Sequence, residues 1–114
     1  MNIVTLSGRL VHEPVIKTTD SGTALLPLRL AVSRGDKDRT TDFINCQAWE
    51  KTAEFIVKYF HKGDPIEVCG RLQTKSYEKS DGTKVTETYV NIREVAFVLS
   101  KANNSADSND DFEL

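Results

Sequence analysis

Apolar side chains recur at every second position along most of this chain, and a period of two belongs to strands with one buried face. Leu26, Leu28, Leu30 and Val32 share one side of a stretch whose other side carries Arg29, Ala31 and Ser33. Val4, Leu6, Gly8 and Leu10 alternate in the same way with Ile3, Thr5, Ser7 and Arg9. Across residues 42–49, Ile44, Cys46 and Ala48 point one way; Phe43, Asn45, Gln47 and Trp49 point the other. A fourth strand is expected to turn Ile66, Val68, Gly70 and Leu72 inward and Glu67, Cys69, Arg71, Gln73, Lys75 and Tyr77 outward. A fifth runs through Thr88, Val90 and Ile92 toward Val95, Phe97 and Leu99. Its phase changes near Arg93-Glu94, which predicts a β-bulge.

The breaks between these runs set the order of the elements. Glu13-Pro14 interrupts the first strand, Asp20-Ser21-Gly22 supplies a turn, and residues 34–39 read as a charged loop. Pro27 has no N–H to give to a ladder, so an edge or a bulge is expected there. Between the third and fourth strands the period lengthens: Ala53, Ile56, Val57 and Phe60 fall at helical spacing. The helix is placed at about residues 51–61, with His61-Lys62 in its last turn and Gly63, Asp64 and Pro65 ending it. Asp81-Gly82 marks a hairpin. Three strands, one helix and two strands match an all-β, five-stranded Greek-key OB-fold barrel.

After Ser100 the composition turns polar, and too few apolar groups remain to order the segment. The chain therefore divides into a barrel at 1–100 and an expected disordered acidic tail at 101–114. Residues 1–100 carry 14 basic and 13 acidic side chains, whereas residues 101–114 carry one basic and four acidic. The acidity thus sits in the tail, and the folded part is free to gather cations on one face. No run approaches the roughly 20 apolar residues of a membrane span, and the N-terminus lacks the pattern of a signal peptide. Cys46 and Cys69 lack metal-type spacing and read as reduced core or near-core thiols of a cytoplasmic protein.

The informative residues lie on the outward side. Phe43 and Trp49 share it with Asn45 and Gln47, and Tyr77 stands beside Arg71, Gln73 and Lys75. Unpaired bases stack on exposed rings and cations follow phosphates, so this mixture suits single-stranded nucleic acid. In this reading Phe43, Trp49 and Tyr77 stack bases. Arg34, Lys51, Lys62, Arg71, Lys75 and Lys79 meet phosphates, and Asn45 and Gln73 offer hydrogen bonds. The competing reading packs the rings under the helix or into a subunit interface, and leaves each cation as solvated surface charge. The outward Ile3 suggests strand-edge association with a second copy. Catalysis finds no support: His12 and His61 have no nucleophile at a recognisable spacing, and a metal site from His12, Cys46, His61 and Cys69 matches no ligand pattern.

Several short segments, in this order, resemble the bacterial single-stranded-DNA-binding protein family over residues 1–99. They are Gly8-Arg9-Leu10 followed by Pro14, Leu30-Ala31-Val32, Asp42-Phe43-Ile44-Asn45-Cys46, Trp49 before Lys51-Thr52-Ala53-Glu54, Lys62-Gly63, and Gly70-Arg71-Leu72-Gln73-Thr74 leading to Tyr77. The resemblance implies a non-enzymatic homotetramer, without cofactor, that wraps single-stranded DNA in replication, recombination and repair. It implies stacking at Phe43, Trp49 and Tyr77. The family's fourth aromatic, in the loop after the second strand, has no counterpart; Arg34 is a partial substitute through cation–π contact. The resemblance also implies that Asp110, Asp111, Phe112, Glu113 and Leu114 form a tip that docks on partner proteins. Here Phe112 is followed by Glu113-Leu114, where the family ends in proline and phenylalanine. By analogy, so compact a chain looks like a phage-encoded or accessory member. The rival function is an OB module that joins replication or recombination machinery through protein contacts alone.

Overall fold

The computed structural model describes residues 1–98. The elements are β1 (Val4–Leu10), β2 (Lys17–Thr18), β3 (Ala24–Ser33), β4 (Thr41–Trp49), α1 (Glu50–Tyr59), β5 (Pro65–Glu78) and β6 (Lys84–Phe97). The expected strand end at Leu99, the tail at 101–114 and its tip at Asp110–Leu114 lie outside the described residues.

The long strands pair in the order β1-β5-β6-β4-β3, and β1 returns to β3 through Arg9↔Ala31 and Leu10↔Leu30. That contact closes a five-strand ring, the OB topology expected from the sequence. All pairings are antiparallel except β4 with β6, which touch in parallel at Cys46↔Val90 and Gln47↔Asn91. β2 adds two residues to the edge of β3. It was not expected, because two residues are too few to show an alternation. On this second edge β3 pairs at Ala24–Leu25 and Leu30–Ala31 and its Arg29 carbonyl accepts the Val11 N–H at 3.0 Å, so Pro27 falls where the edge is open.

The inward side chains fill the ring. Leu26, Leu28, Leu30, Cys46, Ala48, Ile66, Val68, Val90 and Ile92 are buried, and Ala53, Ile56 and Phe60 close one end from α1. Each large apolar side chain removed from water contributes about 1.5–3 kcal/mol before entropy is charged against it. Both cysteines are free, Cys46 buried and Cys69 half-buried, and desolvation pushes the Cys46 thiol up to about 12. Phe97 sits at the barrel mouth, half in water, stacked on Phe60 at 4.9 Å between ring centroids.

α1 follows β4 without a loop. The direction change is taken up by Glu50, whose φ of +52° lies in the left-handed region. Its carboxylate accepts the Ala24 N–H at 2.9 Å, which ties the junction to β3. The helix ends at Tyr59, with Phe60 as its C-cap, so His61 and Lys62 are not in the last turn; Lys58 is the base there. The physical reason is that Phe60 is drawn into the core in an extended conformation, which stops the helix before the basic pair. His61 and Lys62 instead belong to a loop held by Glu13. The Glu13 carboxylate takes the His61 Nδ1–H at 2.9 Å and the Lys62 N–H at 3.0 Å.

These bonds shift both groups. The Lys62 N–H first, then His61, lowers the Glu13 carboxyl below its ordinary value, and the Glu13 hydrogen bond and charge raise the His61 imidazole. The His61 contribution is therefore complete below the ordinary imidazole value of 6.5 and is lost as pH rises through the raised one. The Glu13 contribution is present above 4.5 and is lost as pH falls through its lowered value. Glu13→Gln is expected to bring the His61 titration midpoint, followed by NMR, down toward 6.5. An unmoved midpoint would show that the pair is not made in solution.

The phase change near Arg93 is present: Cys69 pairs with Glu94 but Gly70 pairs with Ile92, leaving Arg93 as the extra residue. Val95 and Phe97 are thereby returned to the inward side, opposite Val68 and Ile66. Beyond Gly70, β5 has left β1 and continues with β6 alone as a projecting hairpin. Leu72, expected inward, is therefore 48% exposed. Its side is right, but no barrel wall remains beneath it. The Asn2 side chain covers its backbone, accepting the Leu72 N–H and donating to the Leu72 carbonyl, both at 2.9 Å. The hairpin tip closes between Lys79 and Thr83, with Gly82 at φ +88° and the Asp81 carboxylate accepting the Thr83 N–H.

Candidate nucleic-acid interface

Strand register builds one continuous outer surface. Arg71 on β5 is opposite Asn91 on β6, Asn91 is opposite Gln47 on β4, and Gln47 is opposite Pro27 on β3. Residues opposite one another share a face. The row beside it contains Gln73↔Tyr89 on the hairpin and Asn45↔Arg29 on β4 and β3. The outward side chains picked out from the alternation therefore fall on a single four-strand surface.

The three rings stand in water at this surface. Phe43 is 53% exposed, Trp49 37% and Tyr77 44%. They are spaced apart, opposite Ala31, Leu25 and Val85 respectively. The rings that pack against the helix and one another are Phe55, Tyr59, Phe60 and Phe97. Trp49 is fixed by its place as the last residue of β4 and the N-cap of α1.

Polar partners set the electrostatics. Arg29 holds its guanidinium carbon 5.3 Å from the Phe43 ring centroid. Lys75 lies 5.5 Å from the Tyr89 centroid and 3.8 Å from the Glu87 carboxylate. Tyr77 donates its hydroxyl to Glu87 at 3.3 Å, and the Glu87 charge holds the Tyr77 phenol above its ordinary value. Gln73 accepts from the Tyr89 hydroxyl at 3.2 Å and from the Asn91 amide at 3.1 Å. A groove of about 240 Å³ runs between Asn45 and Gln47 on one side and Lys75 and Tyr89 on the other.

The remaining basic residues are dispersed. Arg34 is engaged by Asp42 through two hydrogen bonds of 2.9 Å, which raise the guanidinium and lower the carboxyl. The guanidinium expected to stand in for the family's loop aromatic is thus held by Asp42, and the cation beside Phe43 is Arg29. Lys51 is exposed in the first turn of α1 and shares a depression of about 220 Å³ with Arg93 and Phe55. Lys62 stands at the Glu13 end, and Lys79 at the hairpin tip. Tyr89, Asn91, Arg29 and Glu87 were given no role from the sequence. Tyr89 and Asn91 alternate with Thr88, Val90 and Ile92, so the same period marks them as outward. The Glu87 and Arg29 contacts depend on register, which no local pattern supplies.

A closed five-strand barrel, capped by one helix and presenting rings, amides and cations on one outer face, defines an OB-type binding barrel. The chain belongs to the single-strand binding protein family, whose model matches residues 1–98. It is similar to the single-stranded DNA-binding protein 2 of Listeria monocytogenes, with 41% identity over 108 residues covering 91% of this chain and 68% of that protein. Single-stranded DNA-binding protein B of Bacillus subtilis is 38% identical over 109 residues, covering 92% of this chain and 96% of the relative. A Fusobacterium nucleatum single-stranded DNA-binding protein is 50% identical over 96 residues, and the match spans 61% of its length. No described helix is long and apolar enough to cross a membrane.

Proposed function

We propose that this chain binds and protects single-stranded DNA without strong sequence preference. The observation that carries the reading is the exposure of Phe43, Trp49 and Tyr77 on one sheet surface already furnished with amides and cations. Every base has a stackable face, so such a surface holds unpaired strands while ignoring their sequence. Arg71, Lys75, Lys79, Lys51 and Lys62 meet phosphates, Arg34 does so where Asp42 releases it, and Asn45 and Gln73 hydrogen-bond to bases. The names of the relatives point the same way. The protein acts as a cytoplasmic homotetramer in replication, recombination and repair, and Asp110 to Leu114 recruit partner proteins. Titration with poly(dT) tests the binding: Trp49 fluorescence should be quenched, and the logarithm of affinity should fall linearly with that of salt. An unstructured oligonucleotide that neither quenches Trp49 nor shifts in a gel overturns the reading in favour of a protein-contact module.

Glu87 places a negative charge among the proposed phosphate contacts and occupies both Lys75 and Tyr77. Glu87→Gln removes the like charge and frees the ammonium. Affinity at low salt is expected to rise severalfold, with a steeper salt dependence, because one more cation is available to displace counterions. Affinity lowered by this substitution would mean that Glu87 orders the surface more than it repels the ligand.

A further inference from the structure

Two of the rings gathered at α1 stand in water and have no place on the four-strand face. Phe60 is buried, yet Tyr59 beside it is 47% exposed and Phe97, stacked on it, 55%. Phe55 joins them, 4.9 Å from Tyr59 and 5.7 Å from Phe97 between centroids. Phe55 also lines the depression of about 220 Å³ that it shares with Lys51, Arg93 and Val95. Rings and depression are therefore one patch, running from the barrel mouth along the β6 side of α1. Exposed apolar surface of this kind, rimmed by polar groups, marks a place where another molecule binds.

The rim has a sign. Lys51 and Arg93 stand at the depression, and Lys58 holds its ammonium 5.3 Å from the Tyr59 centroid. Among the described residues none of the three is in an ion pair; the pairs made are Arg34–Asp42, His61–Glu13 and Lys75–Glu87. Of the acids of α1, Glu50 is spent on the Ala24 N–H, and Glu54 pairs with neither lysine. Unpaired cations around aromatic side chains select an acidic protein surface. A base is a poorer fit, because these rings spend their faces on one another. Phe97 stacks on Phe60 at 14°, and Tyr59 meets Phe97 at 82° while lying under Lys58. Ring edges and a curved depression suit an apolar side chain, whereas a base needs a flat face.

We propose that the α1–β6 patch is a docking site for an acidic segment of a partner protein, with an apolar side chain of that segment on Phe55, Tyr59 and Phe97 and its carboxylates on Arg93, Lys58 and Lys51. The site goes beyond the single-stranded-DNA reading and does not depend on it. Apart from Lys51 it uses none of the proposed DNA contacts, so a protomer that holds a strand keeps the patch available.

The test is fluorescence anisotropy of a short labelled peptide of aspartates interspersed with phenylalanine and leucine, titrated with the full chain alone and saturated with oligo(dT). Binding is expected in both states and weakens with salt. Tyr59→Ser and Arg93→Glu, with melts confirming the fold, are each expected to lose about tenfold in peptide affinity, the scale of an interface hot spot. Tyr59→Ser should leave oligo(dT) affinity unchanged. The same peptide with lysine for aspartate should bind Arg93→Glu more tightly than it binds the parent. Peptide affinity retained by both folded variants, or peptide displaced by oligo(dT), overturns the site and leaves the DNA reading standing. Two further results overturn it by assigning the patch to another occupant. Much tighter peptide binding by the full chain carrying Asp110→Asn, Asp111→Asn and Glu113→Gln would mean that the chain's own acidic end covers the patch. A lower mass of Tyr59→Ser in sedimentation would mean that a second copy covers it.

Discussion

Trp49→Ala is expected to weaken binding of oligo(dT) by roughly 5- to 150-fold while the barrel stays folded. Stacking of a base on a ring is worth ~1–3 kcal/mol in OB-fold binders of single strands, and each 1.4 kcal/mol is about tenfold. Trp49 suits this role for a structural reason. Its backbone is tied to β3 at two successive points, by the pairing of Trp49 with Leu25 and by the Glu50–Ala24 bond at the start of α1. The ring can therefore be removed without releasing the strand end. The ring is also the largest apolar surface at that end of the face, and 37% of the residue remains in water. The covered part means that some stability is lost too, on the order of 1 kcal/mol, as for most single substitutions. Fluorescence anisotropy of a labelled oligonucleotide, with a urea melt of the same preparation, separates the two effects. Trp49→Phe keeps a stackable face and should recover most of the affinity. An alanine variant that melts cooperatively and binds as tightly as the parent would end the assignment of Trp49, and Phe43→Ala and Tyr77→Ala would then decide whether rings matter anywhere on this face.

Alternation marked the five long strands, the outward rings and the phase change at Arg93, because each is a property of consecutive residues. It failed at Leu72 for a definite reason. A period of two assigns a side, and burial on that side needs a neighbouring wall, which β1 ceases to supply where Val4 meets Gly70. It failed at β2 because two residues carry no period, and at His61-Lys62 because the helix is stopped by the demand of Phe60 for the core. The site divides in the same way. Exposure of Phe43, Trp49 and Tyr77 follows from their own strands. The hold of Arg29 on Phe43, the diversion of Arg34 to Asp42 and the position of Glu87 between Lys75 and Tyr77 follow from which strand lies beside which. A charged residue's partner in a sheet is fixed by register, so a count of cations overstated what Arg34 has free to offer a phosphate.

Gly70→Ala is expected to cost about 3 kcal/mol of stability, the upper end of what an overpacked site usually loses. A methyl group at this position would run into the Asn91 carbonyl oxygen and stand 2.8 Å from its carbon. Both are backbone atoms of the neighbouring strand, so no rotamer change relieves the clash; β5 and β6 must part. The close approach has a cause in the fold. Gly70 lies at the register slip where β6 gives up one extra residue, Arg93, and where β5 passes from the barrel wall into the hairpin. A bulge increases local twist and brings the two backbones together, and a residue without Cβ is what permits it. The neighbouring row is Arg71, Asn91 and Gln47, so the same displacement should also disturb the centre of the binding face. Urea denaturation should show a lower midpoint with an unchanged slope, together with weaker oligo(dT) binding by the molecules that remain folded. Gly82→Ala separates crowding from chain conformation. Its methyl would meet nothing within 4 Å, and only the φ of +88° opposes it, at a cost of about 1 kcal/mol and with no loss of DNA binding. Equal stability losses in the two variants would mean that backbone freedom, and not the proximity of Asn91, is what Gly70 provides.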